Sequence, residues 1–259
     1  MMKNLLVLLI LLQSVQVWCN QQSESSLQNL HSFTEIKNRG IHFSELNRSD
    51  SAIAYFRTAL SFAEDADSIA QALLLLSNEY RLNQDIENAK RYLNQLNELL
   101  LSNSIKNKAI TYESLHLEGK IKISQSDFVS ALQLFDSALM VIEQIEGKNA
   151  LASIKVINYK GIAFYYLGDQ DQAFYYYREA LEKCLRLGIK NIDLADVYQN
   201  MAIAYSFKGE FDSALFYLEN SRVIREQIFS DFHPRMAGFY VNYGRILSMV
   251  GRSVEAFIF

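Results

Sequence analysis

The sequence predicts an all-α solenoid of about six stacked helical hairpins, the last incomplete. Three observations predict it. A chain of 259 residues carries only one proline and 10 glycines, which suits long helices and not the many turns of an all-β fold. Aligning segments on one alanine brings the chain into register six times, at Ala52, Ala89, Ala131, Ala173, Ala214 and Ala256, with steps of 37, 42, 42, 41 and 42. Seven of the glycines then fall in just two columns, although the register was chosen on alanine.

The columns describe a hairpin. Twelve positions before each alanine stand Gly40, Ser77, Gly119, Gly161, Ala202 and Gly244, all small. Small residues on two antiparallel helices let the backbones approach. Five positions before stand Asn47, Gln84, Ser126, Gly168, Gly209 and Gly251, and glycine or asparagine there suits the left-handed conformation that ends a helix. Large residues fill the space around the crossing: Phe43, Tyr80, Phe164 and Tyr205 nine before, and Phe56, Leu93, Phe135, Tyr177 and Leu218 four after. Each hairpin keeps an apolar face that only a neighbouring hairpin can cover, so the units stack.

Taken in order, residues 1–19 read as an export signal. Lys3 precedes "LLVLLILL", an apolar run too short to span a bilayer, and Val17 and Cys19 suit a cleavage site. A lipidated Cys19 is the alternative; the bulky Trp18 before it argues against that. Residues 20–29 read as a flexible start. The solenoid covers 30–259, in repeats of about 33–66, 67–104, 106–147, 151–188, 193–230 and 235–259. In the last unit a helix is expected from Pro234 to Met249, because proline favours a helix start. With only three residues after Ala256, that helix is expected to leave Tyr240, Tyr243, Leu247, Phe257 and Phe259 uncovered. Self-association through this end is the corresponding expectation.

The segments "NYKGIAFYYLGDQDQAFYYYREAL" and "VYQNMAIAYSFKGEFDSALFYLENS" resemble the tetratricopeptide repeat (TPR). The resemblance runs over about 30–259. The 42-residue step and "HPRMAGFYVNYGRIL" are similar to the long variant found in kinesin light chains. Lys122 and Glu118 depart from it, standing where a large apolar residue is usual. The resemblance implies a right-handed superhelix whose concave groove binds a protein or peptide, and it places His116, Lys120, Asn158, Ile162, Tyr165, Tyr166, Gln199, Ile203, Phe207 and Arg245 in that groove. It implies architectural places for Phe164, Phe174, Tyr176 and Tyr177. Chaperone-tail binding in this family needs a set of lysines, arginines and asparagines that Lys120, Asn158 and Arg245 alone do not reproduce.

Catalytic chemistry has no grouping in the sequence. His31, His42, His116 and His233 lack metal-ligand spacing, and no phosphate loop, HExxH or CxxC occurs. No catalytic residue, metal or cofactor is expected. A net charge of -4 without a basic block argues against nucleic acid. After removal of residues 1–19, Cys184 is the one cysteine left and is expected to pack rather than react. The sequence therefore predicts an exported, non-enzymatic scaffold, periplasmic or secreted, for a protein or peptide. The alternative is the extracytoplasmic input part of a bacterial membrane-bound regulator, cut before its transmembrane and transmitter segments.

Overall fold

The computed structural model describes residues 32–102, 104–147, 150–229 and 233–249. Those residues form eleven helices: α1 Phe33–Glu45, α2 Ser49–Ser61, α3 Ala66–Leu82, α4 Ile86–Leu101, α5 Ala109–Ser124, α6 Phe128–Glu146, α7 Ala152–Leu167, α8 Gln170–Arg186, α9 Ile192–Phe207, α10 Phe211–Ile228 and α11 Pro234–Met249. There is no strand among them. Each odd helix packs on the even helix that follows, and each even helix passes the stack to the next hairpin. Odd helices also touch one another, α1–α3, α3–α5, α5–α7 and α7–α9, and no pair of even helices makes a comparable contact. The odd helices therefore line the inner, more tightly curved face of an all-α repeat solenoid. The export signal and flexible start lie outside the described residues.

One turn is built five times. Asn47, Gln84, Ser126, Gly168 and Gly209 all have φ between 55° and 82°. This is the left-handed region, comfortable for glycine and costly for the other three. The next residue's N–H reaches back to the carbonyl five positions earlier: Arg48 to Phe43, Asp85 to Tyr80, Asp127 to Lys122, Asp169 to Phe164 and Glu210 to Tyr205, at 2.9–3.1 Å. That bond closes the odd helix in a Schellman turn. The same residue opens the even helix. Asp85, Asp127 and Asp169 each accept the N–H of the residue three further on. Arg48 and Glu210 occupy this position without a side-chain cap.

The small-residue column holds a ring. A Cβ added to Gly40, Gly119 or Gly161 would stand 2.5, 2.3 or 2.5 Å from the nearest ring carbon of Phe56, Phe135 or Tyr177. These three rings are almost fully buried, as are all five described alanines of the register. Where the facing residue is Leu93 or Leu218, the small position is Ser77 or Ala202 instead. Leucine leaves room for a Cβ, and Ser77 uses its own to donate a 2.8 Å hydrogen bond to the Ala89 carbonyl.

A second pair ties each hairpin together. Phe43 stacks on Tyr55, Tyr80 on Tyr92, Phe164 on Tyr176 and Tyr205 on Tyr217, with ring centroids 5.2–5.4 Å apart. The third repeat has Lys122 and Leu134 in these columns, and Lys122 bonds Asp127 at 3.1 Å. Phe164, read as core, is only half-buried, because its stack with Tyr176 lies at the rim of the hairpin. Cys184 is buried among Ile154, Ala180, Leu194 and Val197, and burial pushes its thiol up to about 11.

Helix α11 corrects one expectation. Tyr243 and Leu247 are 4% and 1% exposed, not uncovered, and Tyr240 is half-buried. The helical period puts Met236, Phe239, Tyr243, Ile246 and Leu247 on one face, and that face packs with Ala202, Ala214 and Leu218 of the preceding hairpin. Phe257 and Phe259 lie outside the described residues. Helix α6 is, by length and composition, apolar enough to cross a membrane. Here Ala131, Phe135, Ala138 and Ile142 on one of its faces form a core cluster with Ala150, Val156 and Ala163.

Candidate functional site

The inner face presents two neighbourhoods, and both are set by the register of the odd helices. Residues one and two positions past the stacked aromatic of α7 are Tyr165 and Tyr166. Tyr166 stacks on Phe128 at 5.4 Å and meets Tyr165 edge to face at 5.4 Å. Tyr165 in turn meets Phe207 at 5.2 Å. The four rings form a ladder from the start of α6, over the end of α7, to the end of α9. Tyr166 and Phe207 are 57% and 60% exposed. The Tyr165 hydroxyl is shifted upward by burial, and the charge of Arg245 opposes the shift. Arg245 on α11 therefore belongs to the same neighbourhood.

The second neighbourhood is a cleft of ≈ 430 Å³ between α3, α5 and α7. Leu74, Leu75, Leu117, Leu151 and Val156 supply apolar wall; Asn78, Glu113, His116, Lys120 and Lys155 supply polar groups. Asn78 Oδ1 accepts from Arg81 Nη2 at 3.1 Å and from Lys120 Nζ at 3.2 Å. Lys120 also stands 5.5 Å over the Tyr159 ring. His116 meets Tyr159 and Phe135 edge to face. Burial first, and then the neighbouring Lys120, hold the His116 imidazole well below its usual range, so it is neutral. Burial also pushes the Lys120 ammonium down to about 7.

The other sequence-derived positions face sideways. Asn158 is buried and accepts from Asn200 Nδ2 at 2.9 Å. Gln199 accepts from Arg225 Nη2 at 3.0 Å, which ties α9 to α10. Ile162 and Ile203 are half-buried, Ile162 against the cluster around Tyr177. Sequence reasoning missed Asn78 and Arg81. The signal was present: Asn78 shares its column with Lys120, and Arg81 shares its column with Tyr165. The less regular second repeat had simply contributed no groove residues. Among the described residues, no three His, Cys, Asp or Glu side chains are grouped to hold a metal.

Two family models, both described as tetratricopeptide repeat, match residues 194–235 and 70–99. Both segments carry the tetratricopeptide repeat. Solved structures agree on the fold. A Rap protein complexed with competence and sporulation factor is 17% identical, with a TM-score of 0.73 over 90% of this chain and 66% of that one. BtubC (BKLC) from P. vanneervenii is 15% identical, with a TM-score of 0.59 over 86% of this chain and 87% of that one. The TPR-like repeats of a Podosopora anserina protein described as a kinesin light chain are 12% identical, with a TM-score of 0.53 over 76% of this chain and 97% of theirs. A search of curated protein sequences gives no significant match. The matched segment 194–235 spans α9 and α10, the hairpin that carries Phe207 and Gln199.

Proposed function

We propose that this protein is a non-enzymatic scaffold that binds a protein or peptide partner along its inner face. The observation that carries the reading is the aromatic ladder Phe128–Tyr166–Tyr165–Phe207. Two of its rings stand more than half exposed on the face where odd helices converge. Aromatic rings offer large contact area at low cost in side-chain entropy, and a ladder of stacked and edge-to-face rings is already ordered before a partner arrives. The Rap protein named above, which shares the fold, was solved with a factor bound, and this too supports a binding role.

The test uses the full chain as bait, beside a Tyr166→Ala/Phe207→Ala variant. Partners captured by the first and lost by the second, with an unchanged thermal melt, support the ladder. Equal capture by both removes it. Export is part of the same proposal, on the strength of Leu5–Leu12; the mass of the mature N-terminus tests it and also reads any lipid on Cys19. The sensor-input alternative uses the same surface and is separated by the coding sequence beyond residue 259. Self-association through α11 has lost its main support, since Tyr243 and Leu247 are covered, and sedimentation of the full chain tests what remains of it.

A further inference from the structure

Lys120 lines the cleft between α3, α5 and α7 and forms no ion pair among the described residues. Its Nζ donates to one neutral acceptor, Asn78 Oδ1, at 3.2 Å, and lies 5.5 Å from the centre of the Tyr159 ring. The charged groups around it come from four helices. Helix α3 brings Arg81, which stands behind the cleft wall and shares the Asn78 acceptor, and Glu79, which is turned to Ser44 on the α1 side. Helix α5 itself brings the neutral His116 one turn before Lys120 and Glu113 two turns before. Helix α7 brings Lys155, and α9 brings Asp193, which pairs with Lys155 at 3.6 Å. Burial pushes the Glu113 carboxyl upward, and the cation that opposes this is again Lys155. Both carboxylates of the cleft thus act on Lys155. The charges that act on Lys120 are Arg81 and Lys155, both cations.

Desolvation and neighbouring cations both favour the neutral amine over the ammonium. Lys120 accordingly titrates at about 7, against about 10.4 for an ordinary lysine. The neutral amine has a free lone pair, and a desolvated lysine beside other cations is a recognised way to make a nucleophile. A nucleophile also needs room for its reaction partner. The cleft supplies ≈ 430 Å³, within the usual range for small-ligand sites of roughly 300–1,000 Å³. Its wall beside Lys120 includes Leu74, Leu75, Leu117 and Val156.

We propose that Lys120 is a nucleophilic amine that captures an aliphatic aldehyde as a reversible imine, with the hydrocarbon body of the aldehyde against Leu74, Leu117 and Val156. The Nζ lone pair bonds to the carbonyl carbon as the C=O π pair moves to oxygen, and a proton passes from nitrogen to that oxygen. The carbinolamine then expels its oxygen as water, which takes both hydrogens of the amine, and the C=N double bond forms. Nothing is oxidised or reduced, and no co-reactant is needed. An uncharged ligand requires no counter-ion and leaves Lys155 with Asp193. The site does not use the aromatic ladder.

The experiment exposes the full chain at neutral pH to hexanal with cyanoborohydride, which reduces imines and fixes them to the chain. Peptide mapping then gives the rate at each lysine. Lys120 is expected to react about tenfold or more faster than the exposed Lys90 and Lys190, since an ordinary lysine is less than about 0.1% neutral at this pH. The lower intrinsic reactivity of a weaker base offsets only part of that gain. The Lys120 rate should level off above pH 7, whereas an ordinary lysine gains reactivity up to about pH 10. Concentrated urea should erase the preference for Lys120, and glycolaldehyde, which has a polar body, should show less of it than hexanal. Lys120→Met is expected to lose the fast site and to raise the melting temperature of the ligand-free protein, because an apolar side chain of similar volume does better than a desolvated cation. Lys120 reacting no faster than Lys90 and Lys190, a rate that climbs to pH 10, a preference that survives urea, equal preference with glycolaldehyde, or a lowered melting temperature for Lys120→Met would each overturn the proposal. The Tyr166→Ala/Phe207→Ala variant should react at Lys120 as the parent does, so the ladder can fail as a partner surface without touching this site.

Discussion

Replacing Gly161 by alanine tests the ring-on-glycine contact directly. The new Cβ would lie 2.5 Å from both Cδ1 and Cε1 of Tyr177, where carbon–carbon contacts are favourable only at about 3.5–4.0 Å. Tyr177 cannot swing away, because it is 3% exposed and packed with Ala173, Met201 and Ala204. Overpacking of this kind costs about 1–3 kcal/mol. Alanine recovers about 1 kcal/mol over glycine in a helix interior. The net loss for Gly161→Ala is then about 0–2 kcal/mol, too small on its own to identify the contact. A double-mutant cycle with Tyr177→Leu isolates it. Tyr177→Leu alone leaves a cavity and costs about 2–3 kcal/mol. In the double variant the methyl has room, as Ala202 has opposite Leu218. The double variant is therefore expected to be about 1–3 kcal/mol more stable than the sum of the single changes, well beyond the additivity error of about 0.5 kcal/mol. Urea unfolding followed by far-UV circular dichroism gives the four stabilities. Additivity within error would falsify the seating of the ring on the glycine and, with it, the reason for the small-residue column.

Other outcomes follow from the same geometry. Ser126→Gly and Gln84→Gly remove exposed side chains from residues at φ 61°, and each is expected to stabilise the protein by about 0.5–1 kcal/mol; a lowered melting temperature in both would contradict the strained turn. Glu210→Asp supplies the missing cap of α10 on a backbone like that of Asp169, for a gain of about 0.5–1 kcal/mol, read by the same melts. Lys120 titrates at about 7 in the folded protein against about 10.4 in an unfolded chain. Between those values the unfolded chain binds the extra proton, so this residue makes stability rise with pH, by at most about 1.4 kcal/mol per unit. The advantage of Lys120→Met over the parent protein should thus be full below pH 7 and shrink toward pH 10; an advantage independent of pH would mean that Lys120 is not desolvated.

The fold was legible because the repeat multiplies weak signals. No single small residue marks a helix crossing, but Gly40, Gly119 and Gly161 at one register position do, and the structure sets a ring on each. The same logic located α11 from Pro234 to Met249. What the register could not supply was the direction of each face where two answers satisfy the same pattern. Tyr243 and Leu247 were read as waiting for a following helix, whereas they pack back on the preceding hairpin. Periodicity says which residues share a face, and packing decides what that face meets.

The two inner-face neighbourhoods were legible for different reasons. Tyr165 and Tyr166 stood out as aromatics surplus to the core columns, and the structure sets both in a ladder with Phe128 and Phe207. The cleft was half-hidden because polar residues on a helix are ordinarily solvated, and sequence gives no measure of desolvation. Asn158 and Lys120 are both polar residues of inner-face columns, one helical turn apart in the register. The first is satisfied by Asn200, one repeat on, whereas the second shares Asn78 with another cation. A long polar side chain in an inner column can therefore be spent on holding repeats together or held in reserve for a ligand. Only the census of its partners separates the two: Lys120 and Arg81 share one neutral acceptor, and the buried Arg81 Nε and His116 Nε2 have none among the described residues.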